Sequence, residues 1–139
     1  MANNKVVFGL PLIELMIVLS IIGILASVAI TIYSTFVKKV RFIEVVVHAG
    51  ALKRDVELCL AINDNDLSSC STPGTNGIPA NQSNLTATVA SIEVSDEGKI
   101  TGTGTAKVGA ASYYLSPKIS NNGMMKWSKG GTCVVQGLC

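Results

Sequence analysis

The chain has 139 residues, 48% hydrophobic, 14% charged and 5% aromatic, which suits one domain and is too apolar for a disordered polypeptide. A net charge of +2 is too small to make electrostatic attraction to nucleic acid or an anionic membrane the default reading. Four cysteines and one histidine leave few ligands for a zinc site or a cysteine–histidine dyad, whereas an even thiol count suits a small exported domain in an oxidising compartment.

From Leu15 through Val37, 23 residues run without an Asp, Glu, Lys, Arg or His. At about 1.5 Å per residue, a helix of that length crosses the roughly 30 Å hydrocarbon core of a bilayer. A short leader carrying Lys5 precedes it and Lys38, Lys39 and Arg41 follow, so cations flank both ends and give no simple orientation. Three readings compete: a permanent anchor, a conventional secretory signal, and a segment that needs a carboxylate at its edge. Ser27, Val28 and Ala29 form the small-x-small triplet of a conventional signal, which would release an exported periplasmic domain after Ala29. Against that stands Glu14, which interrupts the region between leader and apolar core. A carboxylate in hydrocarbon costs about 2.5 to 3.5 kcal/mol on insertion scales and generally has a functional partner.

Gly9, Leu10, Pro11, Leu12, Ile13, Glu14, Leu15, Met16, Ile17 and Val18, followed by Ile21, Ile22, Gly23, Ile24, Leu25 and Ala26, closely resemble the N-terminus of a type IV pilin. The resemblance implies cleavage by a prepilin peptidase between Gly9 and Leu10, N-methylation of Leu10, and a role for Glu14 in assembly. Leu10 stands where phenylalanine is usual and Pro11 where threonine is common; proline is accommodated in a first helical turn because its missing N–H has no intrahelical partner there. Thr31 occupies the region where many relatives carry a proline. The new α-amine at Leu10 is cationic and stays so when methylated. In a bundle of apolar helices, Glu14 of one chain would pair with that cation on a neighbour, because leaving it unpaired is penalised.

Val40 to Ile62 contains no proline and only Gly50 as a breaker, and apolar positions 40, 43, 47, 51, 58 and 62 follow the three-and-four spacing of a helix face that packs on something. One helix from Leu10 to about Ile62 is therefore expected, an anchor in its first half and the spine of a head in its second. The segment Ala49 to Lys53 with Val56, Glu57 and Cys59 also resembles the end of the first pilin helix. His48 is read as a partly exposed helix residue without a catalytic role, since no second histidine or acidic cluster accompanies it.

Asn63 to Asn84 has the Asn, Asp, Ser, Thr, Gly and Pro content of a surface connection, the αβ-loop between helix and sheet. Strands are expected at Thr86–Val94, Lys99–Val108, Ser112–Ile119 and Met124–Ser128, separated by turn signals. The fold class is α+β, a long N-terminal helix packed on a four-stranded antiparallel sheet, which is the pilin fold that the resemblance implies. The expected organisation is a cleaved leader at 1–9, a transmembrane or filament-core helix at 10–37, an amphipathic helix half at 38–62, the αβ-loop at 63–84, and the sheet with a disulfide-closed C-terminal loop at 85–139.

Cys59, Cys70, Cys133 and Cys139 allow three pairings. The sequential one is favoured because Cys59 with Cys70, and Cys133 with Cys139, each close a short loop containing turn residues; the second resembles the loop that ends many pilins. No Cys-x-x-Cys pair occurs, which argues against a metal site. Residues 58 to 97 carry Asp64, Asp66, Glu93, Asp96 and Glu97 with no cation, whereas 98 to 139 carry Lys99, Lys107, Lys118, Lys126 and Lys129 with no acid. Beside ordinary solvated surface, this asymmetry admits facing patches on adjacent subunits or weak multivalent binding of DNA or a host surface.

Membership of that family implies a major subunit of a type IV pilus, a helical homo-oligomer that serves adhesion, twitching motility or DNA uptake. It implies a prepilin peptidase and an inner-membrane assembly machinery as partners, residence in the inner membrane before assembly, and an extracellular pilus afterwards. A minor pilin or a type II secretion pseudopilin shares the N-terminal signal. No nucleotide-binding or catalytic motif is present in the sequence, so neither enzymatic activity nor a cofactor is expected.

Overall fold

Helix α1 runs from Leu12 to Ile62 in the computed structural model, which describes residues 11–139. The chain divides into two units after Thr35. In the first unit every described residue is exposed, including Leu12, Ile13, Leu15 and the aliphatic residues through Ile32. A helix persists there because Ile, Leu, Val, Ala and Met satisfy their backbone polar groups within the segment and no proline follows Pro11.

The second unit packs the rest of α1 on an antiparallel meander. Its strands are β1 Gln82–Ser83, β2 Val89–Ser95, β3 Lys99–Gly104, β4 Ser112–Ile119 and β5 Met125–Gly130, hydrogen-bonded in the order β1-β2-β3-β4-β5. Registers such as Val94 opposite Ile100, Ile100 opposite Leu115 and Leu115 opposite Lys129 keep alternate side chains on one face. Ile92, Val94, Ile100, Tyr113 and Leu115 thereby meet Phe42, Val45, Ala49, Leu52, Val56 and Leu60 of α1 in one buried cluster. At Gly102 in β3 an added Cβ would lie 2.8 Å from Val45 Cγ1 and 3.0 Å from Ile92 Cδ1, so the absence of a side chain lets the helix approach the sheet.

The architecture is the expected α+β arrangement of a long helix on an antiparallel sheet; β2 starts at Val89 rather than Thr86, β5 is Met125–Gly130 rather than Met124–Ser128, and two further differences concern the sheet's edge and β3. The sheet has a fifth strand, the two-residue β1, inside the stretch read as αβ-loop; the Asn81 side chain accepts the Val94 N–H at 3.0 Å and holds it at the sheet edge. β3 also stops at Gly104 rather than Val108, because Gly104 N–H bonds back to Ala111 O and Ala106–Val108 forms a single 3-10 turn.

The larger correction concerns α1. Its buried residues are Phe42, Val45, Ala49, Leu52, Val56, Cys59 and Leu60. The stripe at 40, 43, 47, 51, 58 and 62, read from spacing as the packing face, is exposed, with Val47 63% and Ile62 72% accessible. Both stripes have three-and-four spacing, and at about 100° per residue they point to opposite sides of the helix. Periodicity alone does not say which of two apolar stripes the sheet covers.

Two disulfides, Cys59–Cys70 and Cys133–Cys139, close the loop after α1 and the C-terminal loop containing the one-turn helix α2, Thr132–Val135. Within the first loop Asp66 accepts bonds from the Ser68 N–H and from the hydroxyls of Ser68 and Ser69, at 3.0, 2.7 and 2.6 Å. These bonds, Ser69 foremost, hold its carboxyl below its ordinary pKa.

Candidate functional site

Gly9 and Leu10, the residues expected to be cut and methylated, lie outside the described residues. Glu14 is in the first turn of α1, where its N–H bonds to Pro11 O at 2.8 Å and where the positive end of the helix dipole favours a carboxylate. It is the only charged residue between positions 11 and 37. Among the described residues it has no ion-pair partner, the one such pair being Lys53–Glu57. Its neighbours Leu12, Ile13, Leu15 and Met16 are 78%, 65%, 59% and 61% exposed, so the carboxylate heads a bare apolar rod.

The serine and threonine side chains of that segment bond back to its own backbone. The hydroxyls of Ser20, Ser27, Thr31 and Ser34 donate to carbonyls of Met16, Ile24, Val28 and Thr31 at 2.8, 2.7, 2.8 and 2.9 Å. Such back-bonding satisfies these four hydroxyls within the helix, so an apolar medium does not penalise them. With a mean hydropathy of 2.8 over its most apolar window, the segment is long and apolar enough to cross a membrane.

In the second unit, sequence reasoning missed how the sheet is fastened to α1. Trp127 Nε1 on β5 donates to Glu57 Oε1 at 2.8 Å, while Lys53 Nζ lies 3.5 Å from the same oxygen and 5.4 Å from the indole centroid. The helical spacing of Lys53 and Glu57 was legible; their meeting with a tryptophan 70 residues later was not. At the other side the Thr88 hydroxyl donates to Glu44 Oε2, and this bond is the main cause that holds the Glu44 carboxyl below its ordinary pKa. His48 borders a shallow pocket of about 180 Å³ with Asp55, Pro79 and Gln82. Among the described residues no group of three His, Cys, Asp or Glu side chains is placed to hold a metal.

The chain thus has an apolar helical segment long enough to cross a membrane, led by one carboxylate, and a disulfide-closed unit in which the rest of α1 packs on a sheet. No family model matches the chain. It is 31% identical over 129 residues to the prepilin peptidase-dependent protein D of Escherichia coli (strain K12), a match covering 92% of this chain and 84% of that protein. It is also 41% identical over 71 residues to the type IV pilus subunit protein TapA of Aeromonas hydrophila, spanning 51% of this chain and 49% of TapA. A probable minor fimbrial protein of Dichelobacter nodosus is 48% identical over 56 residues, 40% of this chain and 35% of that protein. The chain belongs to the type IV pilin family.

Proposed function

We propose that this chain is the major structural subunit of a type IV pilus. In this reading a prepilin peptidase cuts between Gly9 and Leu10 and the Leu10 amine is methylated. The subunit then waits in the inner membrane, anchored by residues 10–37, until an assembly machinery adds it to an extracellular filament. Residues 38–62 and the head, 63–139, form the part that remains outside the bilayer. The single observation that carries the reading is Glu14, the one charge at the start of an apolar helical segment that is exposed throughout residues 11–35. In a filament core the helices bury one another's Leu, Ile and Val, and each Glu14 finds the cationic N-terminus of a neighbour. Adhesion, twitching motility and DNA uptake are the uses this filament would serve.

The minor-pilin reading draws on the similarity to the probable minor fimbrial protein of Dichelobacter nodosus. Deletion separates the two: loss of all surface fibres marks the major subunit, and fibres of normal composition but reduced number mark a minor one. For the mechanism, Glu14→Ala is expected to leave membrane insertion intact and to abolish fibres seen by electron microscopy. Mass spectrometry of the mature chain is expected to show a methylated N-terminus at Leu10. A chain beginning at Ile30 would instead identify an exported domain released by an ordinary signal peptidase and sink the pilin reading.

A further inference from the structure

In the second unit an apolar groove of about 500 Å³ lies between α1 and the C-terminal loop. One wall is Lys39, Ile43 and Val46 of α1, the other includes Lys129, Val134 and Leu138, and no Asp or Glu side chain lines it. Lys129 lies opposite Leu115 and Leu115 opposite Ile100, while Ile100 stands between Gly98, which faces Val56, and Gly102, which faces Val45. Lys129 is therefore level with the part of α1 beyond Val45, at the opposite end of the groove from Lys39. Along the direction of α1 the groove reads cation, aliphatic floor, cation.

The C-terminal end of the same helix carries the complement. Asp55, Leu58 and Ile62 share a surface depression that no Lys or Arg lines, and exposed Asp64 and Asp66 follow at once. Leu58 and Ile62 are exposed, and Asp55 has no ion-pair partner among the described residues. Lys39 to Val46 and Asp55 to Ile62 each span about 10 Å of helix, with the charge first and the aliphatic residues after it in both. At about 100° per residue the two sets point about 125° apart around α1, so one subunit can present both at once. We infer that the groove receives the end of α1 from a second copy of this chain. Asp55 then faces Lys39, Leu58 and Ile62 pack on Ile43, Val46 and Val134, and Asp64 and Asp66 approach Lys129. The charge pattern selects this occupant, because sign and order match along two helices that run the same way. Because the two surfaces differ, the contact is head-to-tail and builds an open helical array when its rotation closes no ring. Each copy is shifted from the last by the interval from Lys39 to Asp55, about 24 Å along α1. The inference rests on the pilin reading and adds to it a contact between heads, separate from the one at Glu14.

The test uses cells that make the full chain, with fibres counted by electron microscopy and membrane insertion scored by fractionation. Lys39→Glu and Asp55→Lys each set like charges face to face and are expected to cut fibre number about tenfold. The double variant restores opposite charges and is expected to return the count to within about twofold of wild type. Asp55→Lys, remote in sequence from the apolar run, decides the case if Lys39→Glu fails to insert. Lys118→Glu, an exposed lysine of β4 outside the groove, should change nothing. Zero-length carbodiimide cross-linking of wild-type fibres is expected to join Lys39 to Asp55. Within one copy those residues are about 24 Å apart along the helix, too far for such a link, so it can form only between copies. The inference is overturned if Asp55→Lys leaves fibre number unchanged, if the double variant is no better than the single ones, or if Lys118→Glu loses as much as they do. Lys39 linked to a different protein would assign the groove to another partner and overturn it as well. A wild-type chain that builds no fibres overturns the pilin reading together with this inference, whereas normal fibres indifferent to both charge reversals overturn this one alone.

Discussion

The two sides of α1 between positions 40 and 62 each carry an apolar stripe, the exposed one interrupted by Arg54, and are opposite in circumstance. One side carries Phe42, Val45, Ala49, Leu52, Val56 and Leu60 and is covered by the sheet; the other carries Val40, Ile43, Val47, Leu58 and Ile62, each about half exposed or more. Before Thr35 the same exposure extends all round the helix. Apolar surface left bare over this length is expected to mark contacts made outside the subunit, because single exposed aliphatics are ordinary but contiguous stripes are not. The sheet side therefore answers to the stability of the head, and the bare side is expected to answer to association.

Phe42→Ala tests that division with the largest expected effect. Phe42 is fully buried, so its truncation is expected to cost about 3 to 5 kcal/mol in urea unfolding of the chain in detergent, and Val47→Ala on the bare side less than about 0.5 kcal/mol. Val47→Asp should reverse the ranking when fibres are counted, sparing the head and impairing assembly. Next comes the disulfide at the end of the sheet side. Replacing Cys59 and Cys70 by serine removes the Cys59–Cys70 cross-link and is expected to cost about 3 kcal/mol, read as a lower unfolding midpoint that added reductant does not lower further at that loop.

The smallest effect is set by pH. Glu44 has its pKa lowered in the folded state, chiefly by the Thr88 hydroxyl, so its bond favours folding above the ordinary carboxylate pKa. That contribution is lost as pH falls through the lowered folded value. The gap in unfolding midpoint between wild type and Thr88→Val should be constant near neutral pH and shrink in acid. A gap that ignores pH would mean the threonine acts by packing rather than through the carboxylate.

Much of this layout was readable without coordinates. The uncharged run, the capless continuation without proline and the turn residues at Asp96-Glu97-Gly98 and Asn121-Asn122-Gly123 are local signals, and local signals predict helix, strands and turns. The covered side of α1 was not readable, since two stripes with the same spacing compete and only the sheet decides between them. Gln82 and Ser83 have no strand character of their own and pair because Ile92 and Ser91 lie opposite. At the candidate site Glu14 was conspicuous as a charge at the edge of an apolar run. The Glu57–Lys53–Trp127 group was hidden because it joins α1 to a residue 70 positions later in sequence.

The chain has one tryptophan, and it is tied to α1 by a hydrogen bond to Glu57 with a lysine over its ring. Its fluorescence is thus a label-free optical reporter of a single event, the seating of β5 on the helix. Heating or denaturant that frees the head should change the emission colour, while partition of the N-terminal half between lipid and filament should leave the spectrum untouched. One intrinsic probe therefore watches half of the molecule and is blind to the other, which allows head unfolding to be timed independently of polymerisation in the same sample.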